Sequence, residues 1–409
     1  TGHSQYKQKL TAGVSDSDMF LTSLVPIQLH FAKEKATVVW QNSRPSSVRY
    51  CRPIKIQYKK ETTSLSQEEV NYIEKPIEQL QPTVIELDNN RTVHITHRLF
   101  LTMIDGKICN ALTSTSSAQI CYVCGAKPTE MNCLNKIIKK TSDVTTYRFG
   151  LSTLHAWIRF FECFLHISYR LEFKKWQARK EDQAKLTAKK QEIQQQFRNE
   201  MGLLVDQVKP GGSGTTNDGN TARRFFQNYE DSARITGINV NLLKRCAVIL
   251  QTLSSGFAIN SAAFRQYSIE TAQLYLQEYS WYYMPVTMHK ILIHGADIIR
   301  TSILPIGQLS EEAQESRNKD LKYFRRSHTR KTSREHTIED LLNFLLVSSD
   351  PLITSLRPQP RTVRNKFYED VFQLIIPPTK LEQPESSEEV TSESDESFSN
   401  TQSDFESDY

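Results

Sequence analysis

The chain has 409 residues, 38% of them hydrophobic and 24% charged, the composition of a folded protein long enough for two or three cores. No apolar run approaches the ~20 residues of a membrane span, and the polar opening around Thr1 lacks the basic-then-apolar pattern of a secretory signal, so a membrane role is not expected. The net charge of +5 joins two opposite parts: residues 381–409 hold ten Asp or Glu and no Lys or Arg, which leaves +15 on residues 1–380, a balance suited to phosphate backbones as well as to plain solubility.

Seven scattered cysteines, an odd count, argue for a reducing compartment, cytosol or nucleus, rather than a disulfide framework. From Met19 to Asn110 short β-like runs prevail, at 20–31, 37–40, 52–58, 83–87 and 92–103. One helix interrupts them, with Ser66 as its expected N-cap, Glu68 and Glu69 in the first turn, and an apolar stripe of Val70, Ile73, Ile77 and Leu80. After Cys124 the pattern turns helical. Leu154, Trp157, Phe161, Phe164 and Ile167 crowd one segment, a charged stretch runs to Glu200, and further helices are expected near 259–283 and 285–299. The glycine loop KPGGSGTT at 209–216 lacks the full P-loop pattern and reads as a flexible connection. The Ser and acid repeats after Pro377 cannot bury a core.

Two residue sets carry chemistry. Cys121 and Cys124 form a CxxC in ICYVC, and His289 and His294 stand five positions apart in MHKILIHG, so the chain supplies a Cys2His2 set with zinc-like pair spacing. Five positions on an ideal helix turn through about 140°, so both rings reach one ion only where the helix ends or distorts. Gly295 is the expected stop. The other reading is of buried core thiols and ordinary helix histidines. Four protein ligands would leave no open position, which implies a structural clasp.

The second set is QLSEEAQESRNKDLKYFRR at 308–326. Ser310 reads as an N-cap, with Glu311 and Glu312 in the first turn, where the helix dipole favours acids without any function. Glu315 lies deeper. It reads either as an i,i+4 partner of Lys319 or as a ligand for Mg2+ or Mn2+, with Lys319, Lys322, Arg325 and Arg326 following to meet phosphates. The basic run from Lys322 to Arg334 is a solvated face, a DNA contact or a nuclear import signal.

These residues resemble those of Transib-type DNA transposases and the catalytic subunit of the V(D)J (RAG) recombinase. ESRNKDLKYFRR is similar to the segment around that family's catalytic glutamate, which falls on Glu315; HKILIH and ICYVC resemble its zinc-binding pairs. YCRPIKIQYKKET, preceded by Asn42–Ser47, resembles the strand that delivers a second carboxylate, and LSTLHAW from Leu151 with GNTARRFF from Gly219 resembles the family's insertion domain. The resemblance spans roughly residues 1–345.

It implies an α/β RNase H-like core (1–115), a zinc-pinned, mainly helical insertion (116–300), a catalytic-helix region (301–376) and a disordered acidic tail (377–409). It further implies cut-and-paste chemistry at terminal inverted repeats with Mg2+ or Mn2+, DNA as partner, a homodimer and a nuclear location. Arg223 and His155 are implied DNA or active-region contacts, although a histidine beside Trp157 and Phe160 also reads as packed or capping. The pattern aligns an aspartate with Lys60; either the nearest carboxylate, Glu61, serves as the second catalytic acid beside Glu315, each holding a metal, or the site is degraded. The first catalytic aspartate would lie just upstream of Thr1, so the chain is expected to be an inactive fragment. Asp16 and Asp18 read as a turn before a strand. The alternative is a domesticated or decayed relative that binds DNA or a partner without catalysis.

Overall fold

The computed structural model describes residues 2–4, 18–31, 37–88, 90–209, 214–357 and 367–377. Asp16, part of the glycine loop at 209–216 and the acidic repeats from 378 onward lie outside the described residues. Residues Thr1–Ile376 form one compact unit, which takes in the three segments expected before the tail; Pro377–Tyr409 form a second.

Among the described residues helices dominate, with three small antiparallel sheets. The strands are β1 (Gly2–Ser4), β2 (Asp18–Leu24), β3 (Gln28–His30), β4 (Val38–Gln41), β5 (Arg52–Gln57), β6 (Thr83–Leu87) and β7 (Arg91–Ile95). They pair as β1-β2-β5, β3-β4 and β6-β7. The helices of the first half are α1 (Thr63–Glu78), α2 (Gly106–Leu112), α3 (Pro128–Met131), α4 (Leu134–Ile137), α5 (Thr153–Ser168) and α6 (Gln183–Met201). They continue as α7 (Gly219–Gln227), α8 (Tyr229–Thr236), α9 (Val240–Ser254), α10 (Ser261–Tyr279), α11 (Val286–His289) and α12 (Gly295–Thr301). The last four are α13 (Glu312–Ser327), α14 (Arg334–Ser348), α15 (Pro351–Leu356) and α16 (Glu369–Leu374).

Several local expectations change. The run at 20–31 splits into β2 and β3 around Pro26, which has no N–H for a ladder. The strand expected at 92–103 stops at Ile95. Thr62, not Ser66, caps α1, its Oγ1 accepting from Leu65 N at 3.1 Å. Ser66 lies one turn inside, buried. No described helix is long and apolar enough to cross a membrane.

The main core is helical and centres on α5. Ser152 caps this helix, and Phe160, Phe161 and Phe164 bury fully against Phe225 and Phe226 of α7 and Phe197 of α6. Edge and tilted ring contacts, such as Phe161–Phe225 at 4.9 Å between centroids, add to the area they bury. A second core joins the β2–β5 face (Met19, Leu21, Ile56) to Leu321 of α13 and Leu341 and Leu345 of α14.

The bend entering α13 rests on a bare glycine. A Cβ on Gly307 would lie 2.7 Å from Gly256 N and 2.9 Å from Leu253 O, both backbone atoms, so the turn at Ile306–Gln308 touches the end of α9 directly. Gly307→Ala should therefore cost about 1–3 kcal/mol through overpacking, read as a lowered thermal midpoint. Gly106→Ala, where a Cβ meets nothing within 4 Å, should stay within about 0.5 kcal/mol of the parent.

Candidate metal centre

The segment before α3 folds into a tight knuckle. Gly125 N donates to Cys121 O at 2.7 Å and Cys121 N to Ala126 O at 3.0 Å, while Gly125 takes φ +66°, a left-handed value that glycine adopts without strain. The turn brings both thiols into the interior, Cys121 fully buried. The histidines come from α11 and the turn after it. Lys290–His294 winds as a π-helix between α11 and α12, so the widened turn brings His289 and His294 together where an α-turn would splay them. Gly295 is not a stop. It continues into α12, and a Cβ there would sit 3.1 Å from the Phe264 ring, so the glycine serves close packing on α10.

One ligand atom from each of Cys121, Cys124, His289 and His294 lies within 4.8 Å of every other, and all four residues are buried. Cys124 Sγ lies 3.4 Å from His289 Nε2, near the about 3.5 Å edge of a tetrahedron with ordinary zinc–sulfur and zinc–nitrogen bonds. His294 Nδ1 meets the Ser142 hydroxyl at 3.3 Å, whereas its Nε2 is buried without a hydrogen-bond partner. That leaves Nε2 as a ligand atom, with Ser142 orienting the ring. The hydrogen bond from Cys124, opposed by burial and helped by both imidazoles, draws the Cys121 thiol down, while the same pairing and burial push Cys124 up. Thiolates are the form in which cysteines bind a cation, so metal binding at this pair releases protons. Beside it, buried Lys290 places its Nζ 3.0 Å from Tyr122 Oη and 4.3 Å from the ring centroid. This group can hold a metal ion such as zinc.

Glu315 is exposed on α13 and lines a cleft of about 1780 Å3 that Asp105 and Glu311 also line. Lys319, Lys322 and Arg326 are likewise exposed, and with Glu315 their spacing sets them along one helix face. No ion pair joins Glu315 to Lys319 among the described residues. Arg325 departs from the expected DNA-facing set: it is buried, its guanidinium 5.5 Å from the Tyr58 ring centroid. Arg223 pairs with Glu312 and lies 6.0 Å from the Trp157 ring centroid. Glu61 pairs with Lys107 at 3.2 Å and does not line the cleft.

His155 sits at the start of α5. Its Nδ1 lies 2.9 Å from both the Ser152 hydroxyl and Glu311 Oε1, and Ser152 also donates to that Oε1. Because serine and carboxylate meet the same ring nitrogen, this is no nucleophile relay. The Glu311 hydrogen bond, against burial, raises His155, with the charges of Glu311 and Asp105 adding to it. Burial opposes ionisation of Glu311, but the hydrogen bonds from His155 and Ser152 outweigh it, and its pKa falls. Ser142, Gly125 and Glu311 were not singled out as site residues from the sequence. Only Gly125, directly after the CxxC, left a local signal.

Compared with models of known protein families and with curated proteins, the chain matches none.

Two outcomes follow. Chelation, or Cys124→Ser with His294→Ala, should remove about one bound metal per chain and lower Tm by about 10 °C or more; unchanged metal content and Tm would exclude the clasp. The His155–Glu311 pair should stabilise fully above the ordinary glutamate value of 4.5 and below the ordinary histidine value of 6.5. Its contribution should fade as pH rises through the raised His155 value and as pH falls through the lowered Glu311 value. The Tm gap between parent and His155→Gln should accordingly be widest near pH 5.5 and narrow above neutrality; a gap independent of pH would contradict the pairing.

Proposed function

We propose that this chain is the core of a Transib-type DNA transposase, akin to the V(D)J recombinase, acting in the nucleus on terminal inverted repeats. The observation that carries the reading is the exposed face of α13, where Glu315 opens on the cleft and Lys319, Lys322 and Arg326 continue the same stripe. An acidic ligand followed by a row of cations suits a divalent ion and the phosphates it activates. In this reading the β1-β2-β5 sheet with α13 and α14 packed on it is the RNase H-like core, and zinc fills the Cys121, Cys124, His289 and His294 group as a structural clasp.

Mg2+ or Mn2+ would supply the charge that activates a water or a 3′-hydroxyl and stabilises the leaving oxygen. The chain's own residues do the rest: Glu315 binds, the α13 cations orient the backbone, and buried Arg317 holds the helix by donating to the Val48 carbonyl and to Ser348 Oγ. Two copies would pair two DNA ends.

A second reading, DNA binding without cleavage, draws support from Lys60 at the place of an expected aspartate and from the pairing of Glu61 with Lys107. The two separate in one experiment on terminal-repeat DNA. Affinity should fall steeply with salt, since each phosphate contact releases counterions. Glu315→Gln in a protein extended upstream of Thr1 should abolish Mg2+- or Mn2+-dependent nicking and keep most binding. Salt-dependent binding with no nicking by that extended protein would favour the second reading; salt-insensitive binding would remove both.

A further inference from the structure

Beyond Glu315 the surface of α13 turns aromatic as well as basic. Tyr323 is 59% exposed, one turn after Lys319 and three positions before Arg326, so its ring stands between two cations on the helix surface. Its centroid lies 4.9 Å from that of His328, which is exposed at the C-cap of α13. His328 in turn meets Phe324 at 6.0 Å and Phe344 of α14 at 5.9 Å, and those two rings stack at 5.1 Å with 14° between their planes. Four rings thus form one ledge.

The second core accounts for only part of it. Phe324 packs at the edge of that core, and Phe344, 39% exposed, covers Phe324. Tyr323 and His328 stand farther out, where rings gain little by burial and add to an exposed cluster of the kind that marks an interaction site. The border of the ledge is cationic. Lys319, Lys322 and Arg326 are exposed and join no ion pair among the described residues. The acids close by are mostly engaged, Asp320 with Arg317, and Glu339 and Asp340 with Arg330. Glu335 is the exposed acid that joins no ion pair among the described residues.

Open rings inside a cationic border fit an unpaired nucleic-acid strand, whose bases stack on aromatic side chains whatever their sequence while the phosphates meet Lys and Arg. A closed duplex hides its base faces and can use only the cations. Tyr323 lies about 12 Å beyond Glu315 along the helix axis, at 1.5 Å per residue. That is the span of about three or four stacked nucleotides.

We propose that Tyr323, with His328 beside it, is a base-stacking platform, and that this end of α13 takes an unpaired strand. Lys319, Lys322 and Arg326 hold the phosphates of that strand. The inference rests on the part of the transposase reading that brings nucleic acid to α13, and not on cleavage or on terminal repeats. It adds the form of the ligand: a strand opened near Glu315 presents bases that the ledge can receive.

The test is fluorescence anisotropy of the whole chain with two labelled probes, an oligothymidylate and a blunt-ended duplex. Tyr323→Ala should weaken oligothymidylate binding by about fivefold or more and leave duplex binding unchanged. Tyr323→Phe should keep both, because stacking needs the ring and not the hydroxyl. Lys319→Ala and Arg326→Ala should weaken both probes and flatten the salt dependence. Tm and clasp-metal content, expected to match the parent in each variant, separate a lost contact from a lost fold. As a second readout, ultraviolet cross-linking of bound oligothymidylate should place adducts at Tyr323 or His328. Equal weakening of both probes by Tyr323→Ala, a Tyr323→Phe variant as weak as Tyr323→Ala, or adducts only elsewhere would overturn the platform. So would a parent that binds the duplex but not the oligothymidylate, which would leave the ledge as a contact for an apolar protein surface. Stacking at Tyr323 in a protein that nicks no terminal-repeat DNA would uphold the platform and remove the transposase reading. Nicking by the protein extended upstream of Thr1, together with oligothymidylate binding indifferent to Tyr323→Ala, would do the reverse.

Discussion

Two thiols and two imidazoles buried together in an apolar helical core need partners, because burial by itself penalises every unmatched polar atom among them. Here the group is drawn from chain positions far apart, Cys121 and Cys124 in one knuckle and His289 and His294 on one π-turn. A shared ion would satisfy all four at once, and much else in the fold is arranged around that meeting. The knuckle carries the segment that runs through Ser142 to the capped start of α5, and α11 packs against α5. The start of α5 in turn holds Glu311 through Ser152 and His155. The clasp and the entry to α13 are therefore two ends of one connected set of contacts.

Helix α13 is held by two buried charges of opposite sign. Glu311 ties its N-terminal end to α5, and Arg317, fully buried, ties its middle to the Val48 carbonyl and to Ser348 at the end of α14. Neither charge is compensated by a surface-type ion pair alone: Arg317 meets Asp320 at 3.2 Å but also spends two donors on neutral oxygens. Removing either side chain would leave buried partners unmatched, which is the costly direction of a hydrogen-bond deletion. Between the two anchors Glu315 stays exposed, and its direction is set by groups that do not touch it.

The amino-acid order made much of this legible where a local pattern determines the outcome. The crowding of aromatics from Leu154 to Ile167 announced a buried helix, and the two ligand pairs could be named from spacing and resemblance, because CxxC and a histidine pair are short-range signals. What stayed hidden depended on distant partners. Ser66 looked like a cap because its neighbours were acidic, but the hydroxyl one turn earlier, Thr62, is the one that reaches a free N–H. Gly295 looked like a stop because glycine commonly ends helices; the π-turn before it removed the need, and the nearby Phe264 ring gave the glycine another use. Arg325 looked like one more cation in a basic run, yet its angular position turns it toward Tyr58. Glu311 was read as a first-turn acid serving the helix dipole, since nothing near it in sequence shows Ser152 and His155 waiting across the interior.

The central claim is that Cys121, Cys124, His289 and His294 close around one ion and so join the two halves of the helical core. X-ray absorption at the metal edge of the purified chain reads that shell directly. The account predicts zinc with two sulfur neighbours at about 2.3 Å and two nitrogen neighbours at about 2.0–2.1 Å, without a water. A shell of oxygen and nitrogen alone, or one that keeps both sulfurs after Cys124→Ser, would contradict it.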